Sequence, residues 1–263
     1  MANFSISVVM ATYNGTHYLR EQLRSVLDQL LQGDELIIVD DDSQDGTFEL
    51  ILSFESSKVR IIRNPVNLGV LATFERGLLL AKNEFIFLCD QDDVWLPGKR
   101  TAFLAAFAQD PSVSVVISDS QVIDAQGRVI APSFMETRRG FDGSLLGTLW
   151  RNRYLGCAMA LRRRLLSISL PVPRQVPMHD MWFGAMGQIY GKVVYLPTPF
   201  LQWRRHTDNA SPSHHQSISR KFSWRMALFV SVCLRMVSFK LGLQVNQLCN
   251  THASKEAELP KRR

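Results

Sequence analysis

Residues 6–15 read ISVVMATYNG, a β-branched apolar run closed by a polar turn. A run of this kind predicts a buried strand. Leucine and valine then recur at helical spacing over residues 18–31, and residues 35–39 form a second continuous apolar run. The chain therefore opens with a strand, a helix and another strand.

The alternation continues to residue 88. Helical patterns at 47–54 and 72–80 separate strand-like runs at 59–62 and 85–88. Strands that alternate with helices predict an α/β fold, here a doubly wound, mostly parallel sheet flanked by helices. Regularity weakens beyond Pro97, where we expect a helix at 99–107 and strands at 113–118, 154–161 and 192–196.

Polar clusters follow the four predicted strands at residues 12–14, 40–42, 63–64 and 90–93. Ligands of doubly wound sheets bind outside the carboxyl ends of the strands, so these clusters predict one binding site. The alternative is that they are solvated loops.

The stretch Asp90-Gln91-Asp92-Asp93 places two carboxylates one residue apart at a strand end. Mg²⁺ and Mn²⁺ take carboxylate ligands and fill their other positions with phosphate oxygens and water, so the pair predicts a cation that holds a diphosphate. For residues 40–42 a second metal site or a phosphorylatable carboxylate is the alternative. The chain has no Gly-rich phosphate loop or Walker-type lysine to support it.

The composition is ordinary for a globular protein except for a formal charge of +6. Basic runs at 162–164 and 261–263 lack interleaved aromatic residues and a binding motif, so we do not expect a nucleic-acid partner. Four cysteines without paired spacing indicate reduced thiols. The first residues lack a signal-peptide pattern, so we expect a cytoplasmic protein.

Four motifs in this order resemble the family 2 glycosyltransferases, which have the GT-A fold. They are residues 7–14 (SVVMATYN), 38–47 (IVDDDSQDGT), 67–69 (NLG) and 90–95 (DQDDVW). The resemblance implies an inverting, metal-dependent transfer of sugar from a nucleotide diphosphate. Asp42 departs from the family pattern, since many relatives have glycine there.

The resemblance also implies roles for individual residues. The residues that hold the donor would be Thr12, Tyr13, Asn14, Asp40, Asp41, Arg63, Asn67 and Asp90. Asp92 would bind Mg²⁺ or Mn²⁺ directly, with Asp90 adjacent. In Gln202-Trp203-Arg204-Arg205-His206, His206 would complete the metal site and Arg204 would contact the diphosphate.

An inverting transfer needs a base that takes a proton from the acceptor hydroxyl. His179-Asp180 is similar to a motif of this family, which makes Asp180 the base. The alternative is that Asp180 caps a helix over 181–189. His179 and Trp182 would then face the acceptor.

Residues 156–159 (GCAM) are small and predicted to lie on a strand. Gly156 and Cys157 would allow a sugar ring to approach closely, or would serve tight strand packing. This segment and residues 90–95 resemble bacterial polysaccharide rhamnosyltransferases. The donor would accordingly be dTDP-rhamnose or a UDP-sugar, and the acceptor a saccharide or a polyprenyl-linked saccharide of a surface polysaccharide such as O-antigen.

The sequence divides into a glycosyltransferase domain and an extension. The domain spans 1–215, with a donor half at about 1–98 and an acceptor and catalytic half at about 99–215. A basic amphipathic helical extension spans 216–250, and a disordered tail spans 251–263. Charges within the helix argue against a transmembrane span, so it would lie on the inner face of the cytoplasmic membrane or pack on the domain or a dimer partner.

Two other functions are compatible with the sequence. A nucleotidyltransferase would share the sheet and the carboxylates, but would ordinarily have a Gly-rich loop after the first strand. A non-catalytic sugar-nucleotide-binding protein would keep the motifs without the reaction.

Overall fold

A computed structural model of the chain describes residues 4–176, 178–207 and 218–241. The strands are β1 (Ile6–Thr12), β2 (Glu35–Asp40), β3 (Val59–Arg63), β4 (Phe85–Cys89), β5 (Val94–Trp95), β6 (Val113–Ile123), β7 (Val129–Ala131), β8 (Met159–Arg162) and β9 (Lys192–Arg204). The helices are α1 (Thr16–Leu27), α2 (Thr47–Leu52), α3 (Val70–Leu80), α4 (Lys99–Gln109), α5 (Phe134–Thr137), α6 (Leu145–Trp150), α7 (Leu166–Ser169), α8 (His179–Tyr190) and α9 (Ile218–Lys240).

The strands within the described residues form one sheet in the order β3-β2-β1-β4-β8-β6-β9-β5, with β7 paired to β6. β1 to β4 are parallel, and β6 and β9 are parallel to each other. β5, β7 and β8 run against their neighbours. The prediction of an α/β, mostly parallel sheet with flanking helices is therefore confirmed, and the sheet continues from the donor half into the acceptor half.

Both faces of the central strands are buried, which explains their uninterrupted apolar sequence. On β1, Val8 and Met10 belong to one core cluster and Val9 to the other. Helix α3 lies close against β1. A Cβ on Gly77 would stand only 2.4 Å from Val9 Cγ1, so glycine is needed at this contact. A larger residue at position 77 would push this helix off the sheet.

The structure of residues 99–207 differs from the prediction in two places. The predicted strand at 154–161 is wrong over its first part: Gly156–Ala158 form a 3-10 turn, and only Met159–Arg162 pair in the sheet. In this turn the carbonyl of Cys157 accepts a 2.6 Å hydrogen bond from Lys99 Nζ instead of a ladder bond. β9 is longer than predicted, because it pairs with β6 through polar residues up to Arg204.

Helix α9 packs against α6, α7 and α8. It buries Leu228 and Val232, and Arg235 donates hydrogen bonds to the carbonyls of Ile168, Leu170 and Pro171. By length and composition alone, Phe222–Lys240 could also cross a membrane. Contrary to our prediction, the charges in this helix therefore do not exclude a transmembrane span. Its contacts place one face of the helix on the domain.

Part of the C-terminal prediction lies outside the described residues. This applies to residues 216–217 and 242–250 of the extension, the second of which includes Cys249, and to the tail at 251–263. Cys89, Cys157 and Cys233 are free thiols, as expected.

Candidate active site

A cavity of about 400 Å³ opens at the carboxyl ends of β1, β2 and β4. Strand order reverses between β1 and β4, and ligands of open α/β sheets bind in such crevices. Ten of the predicted site residues line this cavity: Thr12, Tyr13, Asp41, Asn67, Asp90, Asp92, Gly156, Cys157, His179 and Asp180. Six do not: Asn14, Asp40, Arg63, Trp182, Arg204 and His206.

Asp41 holds the loop that forms one wall of the cavity. Its Oδ1 accepts hydrogen bonds from Asn64 Nδ2 at 2.6 Å and from the Leu68 N–H at 2.8 Å. Its Oδ2 accepts a 2.8 Å bond from the Gly69 N–H. Three donors from one loop meet a buried carboxylate, so Asp41 fixes the position of residues 64–69.

Asp40 lies beneath the cavity rather than on its wall. Its buried carboxylate accepts hydrogen bonds from the hydroxyls of Thr12 and Ser43, and Arg63 Nε is 3.5 Å away. Asp42 follows with φ at 62°, so it adopts the left-handed conformation that glycine favours and aspartate tolerates. Asp40 and Arg63 thus shape the turn that presents Asp41.

Gln91 was missed as a site residue although it stands between the two motif aspartates. Its Oε1 accepts a 2.8 Å hydrogen bond from the Tyr13 N–H, and its Nε2 donates to the Tyr13 carbonyl at 2.9 Å. A Cβ on Gly15 would stand 2.2 Å from the same Oε1. Gln91 therefore ties the loop after β1 to the end of β4, and glycine at position 15 leaves room for it.

Carboxylates crowd the floor of the cavity. Burial, followed by the charges of Asp92 and Asp180, raises the pKa of Asp90 to about 7. Burial, followed by the charges of Asp92 and Asp90, raises the pKa of Asp93 well above its usual range. Ionisation of Asp90 and Asp93 is therefore unfavourable in the protein alone, and a bound cation would make it more favourable.

The donor atoms test whether a divalent cation would fit this floor. The ligand atoms of Asp90, Asp93 and Cys157 lie within 4.8 Å of one another, but burial raises the pKa of the Cys157 thiol, so its sulfur stays protonated. Asp92 Oδ2, in turn, is 2.8 Å from His206 Nε2. Carboxylate oxygens suit Mg²⁺ and Mn²⁺ and a thiol does not, so Asp90 and Asp93 are the members of this group that suit such an ion, and the set of Asp90, Asp92 and His206 stays a prediction.

Asp180 lies in the first turn of α8 and lines the cavity. Its Oδ2 accepts a 3.1 Å bond from Asn152 Nδ2, and its Oδ1 accepts a 2.6 Å bond from the Met181 N–H. Burial raises the pKa of Asp180 to about 6, against the effect of these hydrogen bonds. The helix begins at His179 after an N-cap at Met178, so the alternative in which Asp180 is the cap is wrong.

His179 is a neutral, buried imidazole on the cavity wall. Burial lowers its pKa to about 4, and its ring packs on Phe74 with centroids 4.4 Å apart. A Cβ on Gly156 would stand 2.5 Å from His179 Nε2, so the 3-10 turn and the imidazole are in close contact. Trp182 points elsewhere: it is fully buried, and its indole N–H donates to the Ser169 carbonyl at 2.7 Å.

Arg204 is buried outside the cavity. Its guanidinium donates to the Asp92 carbonyl at 2.8 Å and to Glu21 Oε2 at 2.6 Å, and it lies over the Tyr18 ring. The next residue, Arg205, lines the cavity instead. Both arginines belong to the stretch 202–206 in which we predicted the contact with the diphosphate. Arg204 joins the end of β9 to the loop that follows β4, through its bond to Asp92.

The chain resembles bacterial glycosyltransferases along most of its length. It is 26% identical over 171 residues to the Escherichia coli UDP-Glc:alpha-D-GlcNAc-diphosphoundecaprenol beta-1,3-glucosyltransferase WfgD, with 64% of each chain covered. It is 23% identical over 215 residues to the putative glycosyltransferase EpsH of Bacillus subtilis, with 77% of this chain and 61% of that protein covered. The chain thus spans about three-fifths of the length of these curated relatives.

Among solved structures, S. aureus TarS 1-349 in complex with UDP-GlcNAc superposes with a TM-score of 0.69 and 18% identity. The match covers 89% of this chain and 66% of that one. This likeness shows the fold. The family model described as Glycosyl transferase family 2 matches residues 7–168, more than half of the chain. The chain therefore belongs to the family 2 glycosyltransferases.

Proposed function

We propose that this protein is an inverting, metal-dependent glycosyltransferase of bacterial surface polysaccharide synthesis. The observation that carries the proposal is that a single cavity is lined by Tyr13, Asp41, Asp90, Asp92 and Asp180. The nucleoside, the diphosphate and the acceptor hydroxyl would each contact a different part of this cavity. The donor would be a nucleotide diphosphate sugar, and the acceptor a saccharide or a lipid-linked saccharide.

Asp180 would be the base. A general base works best when its pKa lies near the pH of reaction, and a pKa of about 6 leaves the carboxylate ionised at neutral pH yet more basic than a solvated one. Hydrogen bonds from Asn152 and Met181 hold the carboxyl group in place. Asp180 would accept the proton of the acceptor hydroxyl as that oxygen attacks the anomeric carbon.

Asp90, Asp92 and His206 would hold Mg²⁺ or Mn²⁺. The ion would offset the charge of the leaving diphosphate. Arg204 is paired with Glu21 and does not line the cavity, so we no longer propose it as a contact of the diphosphate. Thr12, Tyr13, Asp41 and Asn67 would contact the nucleoside, while Asn14, Asp40 and Arg63 would support the loops that carry them.

L-Rhamnose remains the donor sugar we propose, as dTDP-rhamnose, with a UDP-sugar as the alternative. The wall beside Asp180 is formed by Phe74, Leu155, Gly156 and neutral His179. A 6-deoxy sugar has a methyl group where other hexoses have a hydroxymethyl group, and a methyl group suits this apolar wall. WfgD, by its name, uses UDP-Glc, which favours the alternative.

The exposed face of α9 would dock on an anionic membrane surface from the cytoplasmic side. Met226, Val230, Leu234, Val237 and Leu241 are exposed along this face. The sequence adds basic residues on the same helix, and such helices bind anionic headgroups. A lipid-linked acceptor, as in the name of WfgD, would place the substrate at that surface.

Flotation with phosphatidylglycerol vesicles tests this membrane proposal. Leu234→Gln with Val237→Gln should abolish flotation, whereas Leu79→Gln, which alters an exposed leucine on α3, should not. A concentration-dependent dimer that the double variant loses would assign the face to a second copy instead and overturn the membrane proposal.

A donor panel tests the transfer itself. UDP-glucose, UDP-GlcNAc and dTDP-rhamnose are each incubated with Mn²⁺, and release of the nucleoside diphosphate is measured with and without EDTA. Cation-dependent release from one donor is expected. Release of pyrophosphate from a nucleoside triphosphate would favour the nucleotidyltransferase, and cation-dependent binding without turnover on any acceptor would favour the non-catalytic binding protein.

A further inference from the structure

Three arginines from separate segments converge beside the cavity. Arg138 follows α5, Arg151 follows α6 and Arg205 follows β9. Arg151 Nη1 donates a hydrogen bond to the Arg138 carbonyl at 3.3 Å, which brings the first two segments into contact. We call Arg138, Arg151 and Arg205 the arginine cluster.

Two aromatic rings connect the members of the cluster. The Arg138 guanidinium lies over the Phe134 ring at 5.1 Å, and that of Arg205 lies over the Trp203 ring at 4.7 Å. The two rings meet edge to face, with centroids 5.2 Å apart. Packing on these rings therefore fixes the positions of the Arg138 and Arg205 guanidinium groups.

Like charges are held together here without a matching number of carboxylates. Burial and then the charges of Arg151 and Arg205 lower the pKa of Arg138, while the Asp180 carboxylate acts the other way. Within the part of the chain that the structure describes, none of the three arginines has a carboxylate oxygen within 4.0 Å. Nearby Arg153, in contrast, is paired with Asp142.

The cluster lies near the proposed base, since the charge of the Asp180 carboxylate acts on Arg138. Only Arg205 of the three lines the cavity, together with Asp180. The loop that carries Arg151 also carries Asn152, which donates to the Asp180 carboxylate. The cluster is therefore placed next to the side chain proposed to deprotonate the acceptor.

We propose that the arginine cluster binds a phosphate group of the acceptor, adjacent to the sugar whose hydroxyl Asp180 deprotonates. Guanidinium groups bind phosphate oxygens through paired, charge-assisted hydrogen bonds, and three of them suit the dianion of a phosphate monoester or of a diphosphate diester. The inference rests on the proposed function and specifies its acceptor as a sugar phosphate or sugar diphosphate ester, not a neutral glycan.

The test measures binding of N-acetylglucosamine 1-phosphate and of the uncharged methyl N-acetylglucosaminide by calorimetry. Both are titrated with and without saturating UDP and Mn²⁺, so that the donor site is filled in one arm. We expect the parent protein to bind the phosphate-bearing sugar at least about tenfold more tightly in both arms. Inorganic phosphate serves as a third probe and should compete with the sugar phosphate.

Arg151→Gln and Arg138→Gln should each remove most of this preference, and Arg138→Lys should restore part of it. Arg128→Gln, which removes one charge from the exposed Arg128–Asp124 pair, should leave the preference unchanged. Equal binding of both sugars by the parent protein would overturn the inference. So would variants that lose UDP and the sugar phosphate together, because the cluster would then belong to the donor's diphosphate. A parent protein that does not bind UDP with Mn²⁺ counts against the proposed function, whereas the arm without UDP still decides on the arginine cluster.

Discussion

The acidic groups after β2 and on the cavity floor look alike in sequence and differ in structure. Asp40 and Asp41 are buried, and their oxygens accept hydrogen bonds from hydroxyl, amide and backbone donors of their own chain. Asp90 is instead crowded by Asp92 and Asp180, and its pKa is raised to about 7. The hydrogen-bonding capacity of Asp40 and Asp41 is satisfied by the fold. The carboxyl group of Asp90, in contrast, lacks a compensating positive charge.

This difference separates two kinds of work. A carboxylate surrounded by donors stabilises the loop that supplies them. A carboxylate surrounded by other carboxylates is destabilising until a cation or a proton arrives. We infer that the first group builds the cavity, whereas the second group and Asp180 act on what enters it.

The largest expected effect is that of Asp180→Asn on transfer. Removing a general base slows a reaction by about 10²–10⁴-fold, and asparagine keeps the side-chain shape in this buried position. Nucleoside diphosphate release in a single turnover should fall by that factor, while UDP binding with Mn²⁺ stays within about twofold. Near-normal turnover would remove Asp180 from the mechanism.

Asp41→Asn and Asp90→Asn should have opposite effects on stability without a cation. An amide at position 41 keeps one acceptor oxygen and turns a donor toward the N–H group of Gly69, which should lower the free energy of unfolding by about 2–4 kcal/mol. Asp90→Asn removes a carboxyl group crowded by like charges, so the free energy of unfolding should stay the same or rise. Urea unfolding in EDTA measures both, and equal losses would contradict the comparison.

Asp92→Asn should weaken cation-dependent UDP binding at least about tenfold, because it removes a charged ligand of the ion. Asp42→Asn is the matched control, since Asp42 is a neighbour of the other acidic group and lies outside the cavity. Calorimetric titration of UDP with Mn²⁺ distinguishes the two variants. Identical affinities would move the metal site away from Asp92.

The first half of the fold could be predicted because β1, β2 and β4 are buried almost throughout and each ends in a polar cluster. The second half could not, because its structure depends on long-range partners. Lys99 binds the Cys157 carbonyl and keeps the 3-10 turn out of the sheet. β9 continues through polar residues because β6 pairs with it along its length.

The site shows the same limit. Motif order placed Asp90, Asp92 and Asp180 on one cavity, but it could not separate Arg204 from Arg205, since burial and the contact with Glu21 decide which arginine is available. The arginine cluster carries no motif at all, because its members come from three segments that only the fold brings together.

The smallest effect is a pH dependence from Asp180. Its pKa is raised from 3.8 to about 6, so the folded protein binds this proton more tightly than the unfolded chain does. The stability that the proton confers is full below about pH 4 and is lost as the pH rises through about 6. The difference in unfolding free energy between Asp180→Asn and the parent protein should therefore grow in favour of the variant from pH 4 to pH 7.

The same ionisation should make kcat/KM of the parent protein rise with pH to a plateau above about 6, because only the carboxylate can accept the hydroxyl proton. A difference in unfolding free energy that is constant with pH, together with a flat kcat/KM profile, would mean that Asp180 ionises as a solvated carboxylate does, and the comparison would then hold for the cavity floor alone.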